Sequence, residues 1–569
     1  MISLLIFVKL IIIFTVVALS NIAPGLLLYC LFHSPQHEKK NLLLFMPVYT
    51  ILFYFCFYLI LDGFFWHVIG IDLHHIVWTA AWVVSLIFLW LKIKKDETKR
   101  TFVKDLIIFL RQPLKLYFLF SLLCLVLVTY DVKDPFEDYS FIEVAHKKTF
   151  WKKPAHDNYF QFINAKAIIN REPFEKYYGN KRLTYQVQDR QSFAAVMFSA
   201  FNRITAGFDS YTKNHYLYFE MFGILLNAMI LFPLIFFLLT FFPQCSIYWV
   251  LSLSIFNPYT IMNTYYVWFK LTAGAFFLIG LAWLLTRFHK KQWTDWVVCG
   301  LIWGIAAAFH SSTALGFPFI IIWLIWKSRR HLFKSVVYAG ILTSAFVITQ
   351  IPWTIIKKIH FEDTHVLVRQ NFMNNFTTSP YEGLLTTGIE FLKQTSFEEQ
   401  FSQRIFHVKR ALHFPELTRL YGYLEAKQFG NFVMSWSAQE FLYILFVYLP
   451  YILLTLLMAL VYIIRHKALP KWTKEDNPIP LELFWISLVT FGLLVILAYD
   501  KGERAYPDRT YHLPMGLISF SLVYIHYKFQ TLKGLWQKTY IAVSVLIGIK
   551  FLIAIGIYSL IPPILPDDF

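Results

Sequence analysis

The chain has 569 residues, of which 57% are hydrophobic, 19% aromatic and only 15% charged. Soluble domains carry about a quarter charged residues. Apolar runs of about 18 residues or more recur here from end to end, as membrane-spanning helices require. The composition excludes a soluble globular protein and predicts an all-α polytopic membrane protein.

The formal net charge of +17 is distributed in a way that argues against nucleic-acid binding. Lys and Arg cluster in short loops between apolar runs, at 92–100, 287–291, 327–334 and 465–474. Such clusters mark cytoplasmic loops and attract anionic lipid headgroups. The charge therefore predicts membrane lipids as partners and no nucleic acid.

The apolar runs predict a bundle of about 12–14 transmembrane helices. The first run, MISLLIFVKLIIIF, lacks the basic start of a signal peptide and is interpreted as a retained span. The predicted spans lie near 2–30, 41–62, 74–91, 113–130, 215–240, 244–257, 268–286, 295–309, 313–326, 335–352, 441–464, 482–499, 512–527 and 539–561.

Five segments follow from these spans and from the positions of the basic loops. They are N-terminal transmembrane helices at 1–130, an external loop of catalytic type at 131–214, central transmembrane helices at 215–353, a second external loop at 354–440, and C-terminal transmembrane helices at 441–569. With the basic loops inside, both long loops fall on the non-cytoplasmic side.

The first long loop contains an acidic residue at the head of an amphipathic stretch, HDNYFQFINAKAIIN at 156–170. Asn158, Gln161 and Asn164 form a polar stripe at a spacing of three, and the remaining face is apolar. This pattern predicts an interfacial helix, with its apolar side toward lipid or a neighbouring span and its polar stripe toward a crevice that contains Asp157.

A second acidic residue, Asp189, stands with Arg190 before another apolar helix predicted at roughly 191–206. Asp is a favoured helix N-cap and suits the positive end of the helix dipole, so capping alone is an alternative role for Asp157 and Asp189. Two such helices in one external loop also fit an active site.

The layout resembles the GT-C glycosyltransferases, membrane enzymes that take sugars from polyprenyl-phosphate donors, such as protein O-mannosyltransferases and aminoarabinose transferases. That family often has Asp-Glu where this chain has Asp157-Asn158. The segment YYVWFKLTAGAFFLIGLAW at 265–283 resembles the Trp-Pro-Lys-Leu motif of bacterial members, with Phe269 in place of Pro. YPDRTYHLPMGLISF at 506–520 resembles their Arg-Tyr-x-x-x-Pro motif.

Transfer of a sugar from a lipid phosphate needs a base for the acceptor hydroxyl and fixed cations for the departing phosphate. The resemblance implies that Asp157 is the base or a metal ligand, with Asp189 second and the Asp134/Asp138 pair third. Lys270, Arg504 and Arg509 are the candidate cations, and ordinary snorkelling or juxtamembrane charge is the alternative for each. Asn158, Gln161 and Arg190 are further candidate substrate-binding residues.

A divalent cation, Mg²⁺ or Mn²⁺, held by Asp157 and Asp189 is the only cofactor that the resemblance implies. The expected substrates are a polyprenyl-phosphate-sugar donor and a glycan, lipid or protein acceptor. The expected location is a bacterial inner membrane, with the active site facing the periplasm. A lipid-linked oligosaccharide flippase or other transporter, an O-antigen polymerase or ligase, and a non-catalytic assembly subunit remain alternatives.

Overall fold

The computed structural model describes residues 4–33, 39–60, 69, 74–129, 156–172, 193–205, 216–241, 258–265, 269–287, 292–327, 329–360, 384–411 and 417–432, with short stretches inside 453–467 and 534–549. Every regular element in these ranges is helical. The fold is therefore that of an α-helical protein, as the composition predicts.

Sixteen α-helices of eight residues or more lie in these ranges. They are α1 (Leu4–Phe32), α2 (Leu42–Tyr58), α3 (His74–Lys95), α4 (Glu97–Thr129), α5 (His156–Asn170), α6 (Phe193–Thr205), α7 (Tyr216–Ala228), α8 (Leu231–Phe241), α9 (Pro258–Tyr265), α10 (Lys270–Arg287), α11 (Trp293–Phe309), α12 (Phe317–Lys327), α13 (Leu332–His360), α14 (Leu384–Gln394), α15 (Phe397–Ala411) and α16 (Leu417–Glu425).

Six helices among the described residues are long and apolar enough to cross a membrane: Leu4–Phe32, Lys39–Tyr58, Glu97–Thr129, Tyr216–Phe241, Lys270–Arg287 and Leu332–Ile355. Three further predicted spans correspond to α3, α11 and α12; α11 has 17 residues, and α12, with 11, is shorter than a full crossing requires. The predicted spans at 244–257, 482–499 and 512–527 lie outside the described residues, and those at 441–464 and 539–561 lie partly outside them.

The stretch formed by α7 and α8 is the most buried of the six candidate spans among the described residues. Of the residues in its most apolar window, 94% are buried, against 22% for α13. A turn at Met229–Ile230 separates the two helices, four residues before Pro233. Proline has no amide hydrogen to donate and its ring crowds the preceding turn, so the interruption has a local cause.

Small residues let α10, α11 and α13 approach closely. A Cβ atom added at Gly280 would meet the indole of Trp303, and one added at Gly304 would meet the side chain of Thr349. The indole nitrogen of Trp303 donates to the carbonyl of Phe277 at 2.9 Å, which ties α11 to α10. Packing between membrane helices relies on such close contacts, because lipid gives no hydrophobic driving force.

One end of the bundle gathers the basic residues around α1, α2, α3 and α4. Lys92 Nζ donates to the carbonyl of Leu31 at 3.1 Å, and Lys99 Nζ donates to the carbonyl of His33. Lys39 pairs with Asp105 at 2.6 Å. The cations thus stabilise the carbonyl end of α1, where the helix dipole is negative.

Three helices of the second long loop expose much of their apolar surface. Phe397 and Phe401 stack on α15 with their ring centroids 6.1 Å apart, and they are 83% and 57% exposed. Leu392 on α14 and Tyr421 on α16 are also exposed. The helix preceding this loop, α13, continues to His360, six residues past the predicted start of the loop at 354.

Candidate functional site

Five phenylalanine rings connect the helices that carry the predicted site residues, and we call them the aromatic cluster. Phe162 of α5 lies 5.5 Å from Phe219 of α7, and Phe219 lies 6.0 Å from Phe269, which precedes α10. Phe309 at the end of α11 lies 6.1 Å from Phe269 and 5.0 Å from Phe193, the first residue of α6. The starts of α6 and α10 therefore meet at one ring.

Helix α5 begins at His156, so Asp157 and Asn158 occupy its first turn. Their side chains lie outside the described part of the structure. Phe162 stands five residues after Asp157, about 7.5 Å along the helix at the usual rise. The helix that carries the proposed base thus contacts the aromatic cluster about one turn after Asp157.

The environment of α5 matches the prediction on its apolar side and differs from it along the polar stripe. The five consecutive residues from Gln161 to Ala165 are all buried, and five residues cover the whole circumference of a helix. Asn164 is fully buried and Gln161 is 7% exposed. Protein therefore encloses the helix at Gln161–Ala165, while Asn170 at its end is exposed. The apolar side faces a neighbouring span, which is one of the two environments predicted for it, and the polar stripe is buried at Gln161 and Asn164.

Packing against α6 and α7 explains this burial. Phe162 meets Tyr216 edge-on at 5.2 Å, while Phe198 of α6 meets Phe219 edge-on at 5.1 Å. Edge-to-face contacts of this kind stabilise by about 0.5–1.5 kcal/mol beyond the area that they bury. The polar spacing in the sequence indicates a face of α5, but it cannot tell lipid from a neighbouring helix.

Lys270 is the first residue of α10 and is only 3% exposed. A snorkelling lysine keeps its ammonium in water, and the low exposure of Lys270 argues against that alternative. Both burial and the positive end of the α10 dipole disfavour a cation at this position. A buried cation at a helix start is therefore poorly explained by the stability of the helix, and it has the character needed to hold an anion.

Glu220 is a buried carboxyl residue that the sequence analysis did not single out. It lies on α7, 4% exposed, next to Phe219 of the aromatic cluster. The available signal was a single acidic residue in the apolar run YLYFEMFGILLNA. Ionisable residues inside such runs are usually functional and face the interior of the bundle.

The structure brings the Asp157-bearing helix and Lys270 to the same aromatic cluster. Asp189 and Arg190 lie outside the described residues, three to four positions before Phe193. Arg504, Arg509, Asp134 and Asp138 also lie outside them. Within the described ranges, no three His, Cys, Asp or Glu residues are grouped so that they could hold a metal ion. Because the side chains of Asp157 and Asp189 lie outside the described residues, the divalent cation stays a prediction.

No protein-family model, curated protein or solved structure matches the chain.

Proposed function

We propose that the protein is a glycosyltransferase of the GT-C type, which moves a sugar from a polyprenyl-phosphate donor to an acceptor on the non-cytoplasmic side of the membrane. The observation that supports this best is the buried Lys270 beside an aromatic cluster that also receives α5 and α6, the two helices with acidic residues at or before their starts. A cation at such a site would hold the phosphate, and a carboxylate would serve the acceptor.

In the proposed reaction, an acceptor hydroxyl oxygen attacks the anomeric carbon of the donor sugar. The bond between that carbon and the phosphate oxygen breaks, and its electron pair leaves with the polyprenyl phosphate. Asp157 takes the hydroxyl proton, because a positioned carboxylate suits a general base. Lys270 stabilises the growing negative charge on the phosphate, with Arg504 and Arg509 as further candidate cations. Attack from the face opposite the phosphate would invert the anomeric centre, by analogy with glycosidases.

The donor follows from the membrane setting of the site. A long polyprenyl chain can remain in the bilayer, while the sugar and phosphate reach the polar ends of the helices. A glycan, lipid or protein acceptor then arrives from the water side. We place the reaction at the periplasmic face of a bacterial inner membrane on the strength of the basic loops and the family resemblance.

Native mass spectrometry of the detergent-purified protein tests the donor directly. We expect a co-purified polyprenyl phosphate that carries one sugar. With that donor supplied, Asp157→Asn is expected to lower turnover by about 10²–10⁴-fold, the usual contribution of a general base. Asp96→Asn, at the start of α4, is the matched control and should leave turnover unchanged. Full turnover by a folded Asp157→Asn protein would contradict the assignment of the base.

A transporter or flippase is the second candidate, and two observations favour it. Glu220 and Lys270 are both buried inside the bundle, where charges often mark a transport pathway. The central helix is also interrupted at Met229–Ile230, as are the helices around many transporter sites. Transport should be lost in Glu220→Gln and unchanged in Asp157→Asn. Comparison of these two variants in one vesicle assay therefore distinguishes the two functions.

A further inference from the structure

The start of α10 lacks a polar capping residue of its own. The amide of Ala273 donates to the carbonyl of Phe269 at 2.9 Å, which makes Phe269 the N-cap and Thr272 the third helical residue. A phenylalanine side chain accepts no hydrogen bond. The orphan amide of Thr272 is instead satisfied from another helix, by Asn227 at the end of α7.

Both polar atoms of the Asn227 carboxamide are used at this junction. Its Oδ1 accepts hydrogen bonds from the amide of Thr272 at 3.1 Å and from the Thr272 hydroxyl at 2.8 Å. Its Nδ2 donates to the carbonyl of Asn263 at 3.0 Å and, at 3.5 Å, to that of Thr264. One side chain therefore caps the last turn of α9 and the first turn of α10 together.

This arrangement fixes the position of Lys270. Asn227 and Thr272 are both fully buried, so loss of either bond would leave polar atoms unsatisfied away from water. Lys270 lies two residues before Thr272 in the same first turn of α10, where burial and the helix dipole both oppose its charge. The carboxamide holds this turn, and with it the backbone of Lys270, against the end of α9.

We propose that Asn227 is a positioning residue for phosphate recognition: through Thr272 it holds Lys270 where the phosphate of a polyprenyl lipid binds. This inference rests on the proposed function, which supplies the phosphate. Glu220 stands seven residues before Asn227 and so shares its face of α7, about 10.5 Å nearer the helix start. The face of α7 that carries Asn227 therefore also carries the second buried charge of this region.

Three variants at two threonines isolate the capping bond. Thr272→Val removes the hydroxyl bond and keeps the side-chain shape, whereas Thr272→Ser restores a hydroxyl. Thr286→Val is the matched control on the same helix, since the Thr286 hydroxyl bonds only to the carbonyls of Ala282 and Trp283 in α10 itself. Titration with a long-chain polyprenyl monophosphate, followed by native mass spectrometry, gives the Kd of each protein.

Thr272→Val is expected to weaken binding of polyprenyl monophosphate about tenfold, the change that corresponds to one buried hydrogen bond. Thr272→Ser should bind within about twofold of the wild type, and Thr286→Val should match the wild type. Titration with the uncharged polyprenol separates positioning from general damage. A positioning defect weakens binding of the phosphate lipid only. A general loss of structure weakens binding of both lipids equally, and that result would overturn the inference.

Lys270→Met separates failure of this inference from failure of the proposed function. If Lys270→Met binds the phosphate lipid as the wild type does, the proposed phosphate site is wrong. If Lys270→Met loses binding while Thr272→Val retains it, the phosphate site stands and the role of Asn227 is wrong. Thr272→Ala, which adds no branched side chain, replaces Thr272→Val should that variant not fold.

Discussion

Two lysines are buried at opposite ends of helices, so the helix dipole acts on their charges with opposite signs. Lys99 is 7% exposed and donates to the carbonyl of His33 after the end of α1, where the helix dipole attracts a cation. Lys270 is 3% exposed at the start of α10, where the dipole repels one. The helix dipole therefore favours the cation at Lys99 and opposes the cation at Lys270.

Replacement of each lysine by methionine should separate stability from lipid binding. Lys99→Met is expected to lower the free energy of unfolding by about 1.5–3 kcal/mol, the contribution of a hydrogen bond from a charged group, without changing the Kd for polyprenyl monophosphate. Lys270→Met is expected to weaken binding of that lipid and to leave the midpoint of thermal unfolding unchanged or higher. Thermal unfolding and native mass spectrometry of the same two samples measure both quantities, and equal behaviour of the two variants would contradict the distinction.

Asp96 shows what a capping carboxylate does in this chain. Its Oδ1 accepts hydrogen bonds from the Thr98 hydroxyl at 2.5 Å, the Thr98 amide at 2.9 Å and the Lys99 amide at 3.2 Å. The bond from the Thr98 hydroxyl, followed by that from the Lys99 amide, lowers the pKa of Asp96 below its ordinary value of 3.8. The ionised side chain therefore favours the folded state.

This lowered pKa gives a stability increment with a defined sign. The increment is fully present above pH 3.8, the ordinary value, and is lost as the pH falls through the lower pKa of the folded state. Asp96→Asn keeps a capping oxygen but cannot ionise. The Tm of the wild type should accordingly exceed that of Asp96→Asn at pH 6, and this difference in Tm should shrink below pH 3.8. A difference that is constant with pH would exclude this contribution.

At the scale of helices, buried tyrosines donate hydrogen bonds to backbone carbonyls that have lost their helical donor near a proline. Pro24 has no amide hydrogen for the carbonyl of Ser20, four residues earlier, and the hydroxyl of Tyr54 donates to that carbonyl at 2.9 Å. The turn before Pro233 diverts the amide of Met229 to Leu226, and the hydroxyl of Tyr117 donates to Leu225 at 3.0 Å. Each hydroxyl replaces a bond that the helix has lost.

Tyr54→Phe should consequently destabilise the protein by about 1–3 kcal/mol, because it leaves the buried carbonyl of Ser20 unsatisfied. In a Pro24→Ala background, the alanine amide can donate to that carbonyl, and the same change should be much less harmful. A double-mutant cycle measured by thermal unfolding tests this coupling. Additive effects of the two substitutions would show that the hydroxyl does not compensate for the proline.

Two glycines on neighbouring helices should respond oppositely to an added methyl group. Gly304→Ala on α11 would press against Thr349 of α13, and overpacking of this kind costs about 1–3 kcal/mol. Gly340→Ala on α13 meets no atom within 4 Å and should be neutral or stabilising by up to about 1 kcal/mol. Equal loss of Tm for both variants would contradict the close approach of α11 and α13.

The apolar runs are sufficient to predict helices, but they do not predict what surrounds each helix. The sequence predicts a helix at roughly 191–206, and α6 spans Phe193–Thr205. The polar spacing places Gln161 on a stripe that faces a crevice, whereas the side chain is buried, because periodicity indicates a face and not what covers it. Asn227 and Glu220 carry no local motif, and only the packing of α7 against α9 and α10 brings out their roles.

At the scale of the whole molecule, α2 connects two groups of helix ends, one with the basic residues and one with the aromatic cluster. The 3₁₀ turn before α2 carries Lys39, paired with Asp105 among the basic residues, whereas Phe55 near the end of α2 lies 5.7 Å from Phe193 of the aromatic cluster. The alternating topology predicted from the basic loops also assigns these two regions to opposite sides of the membrane. The side that faces the cytoplasm remains a prediction.

Single cysteines at two exposed positions can establish that side. In a variant with its native cysteines replaced, Glu398→Cys on α15 is expected to react with a membrane-impermeant maleimide in intact cells stripped of any outer barrier. Lys95→Cys at the end of α3 should react only after the membrane is permeabilised. The cysteine-free parent is the control, and the reverse pattern would move the proposed reaction to the cytoplasmic face.

The double cap made by Asn227 has a consequence for how the protein is synthesised. The last turn of α9 is one of the two helix ends that this side chain caps. Its cap comes from a residue only 36 positions earlier, and that of α10 from the same residue 45 positions earlier. Both helix ends can be secured while the ribosome is still translating the second half of the chain, so the core of the proposed site can assemble before the C-terminal spans reach the membrane.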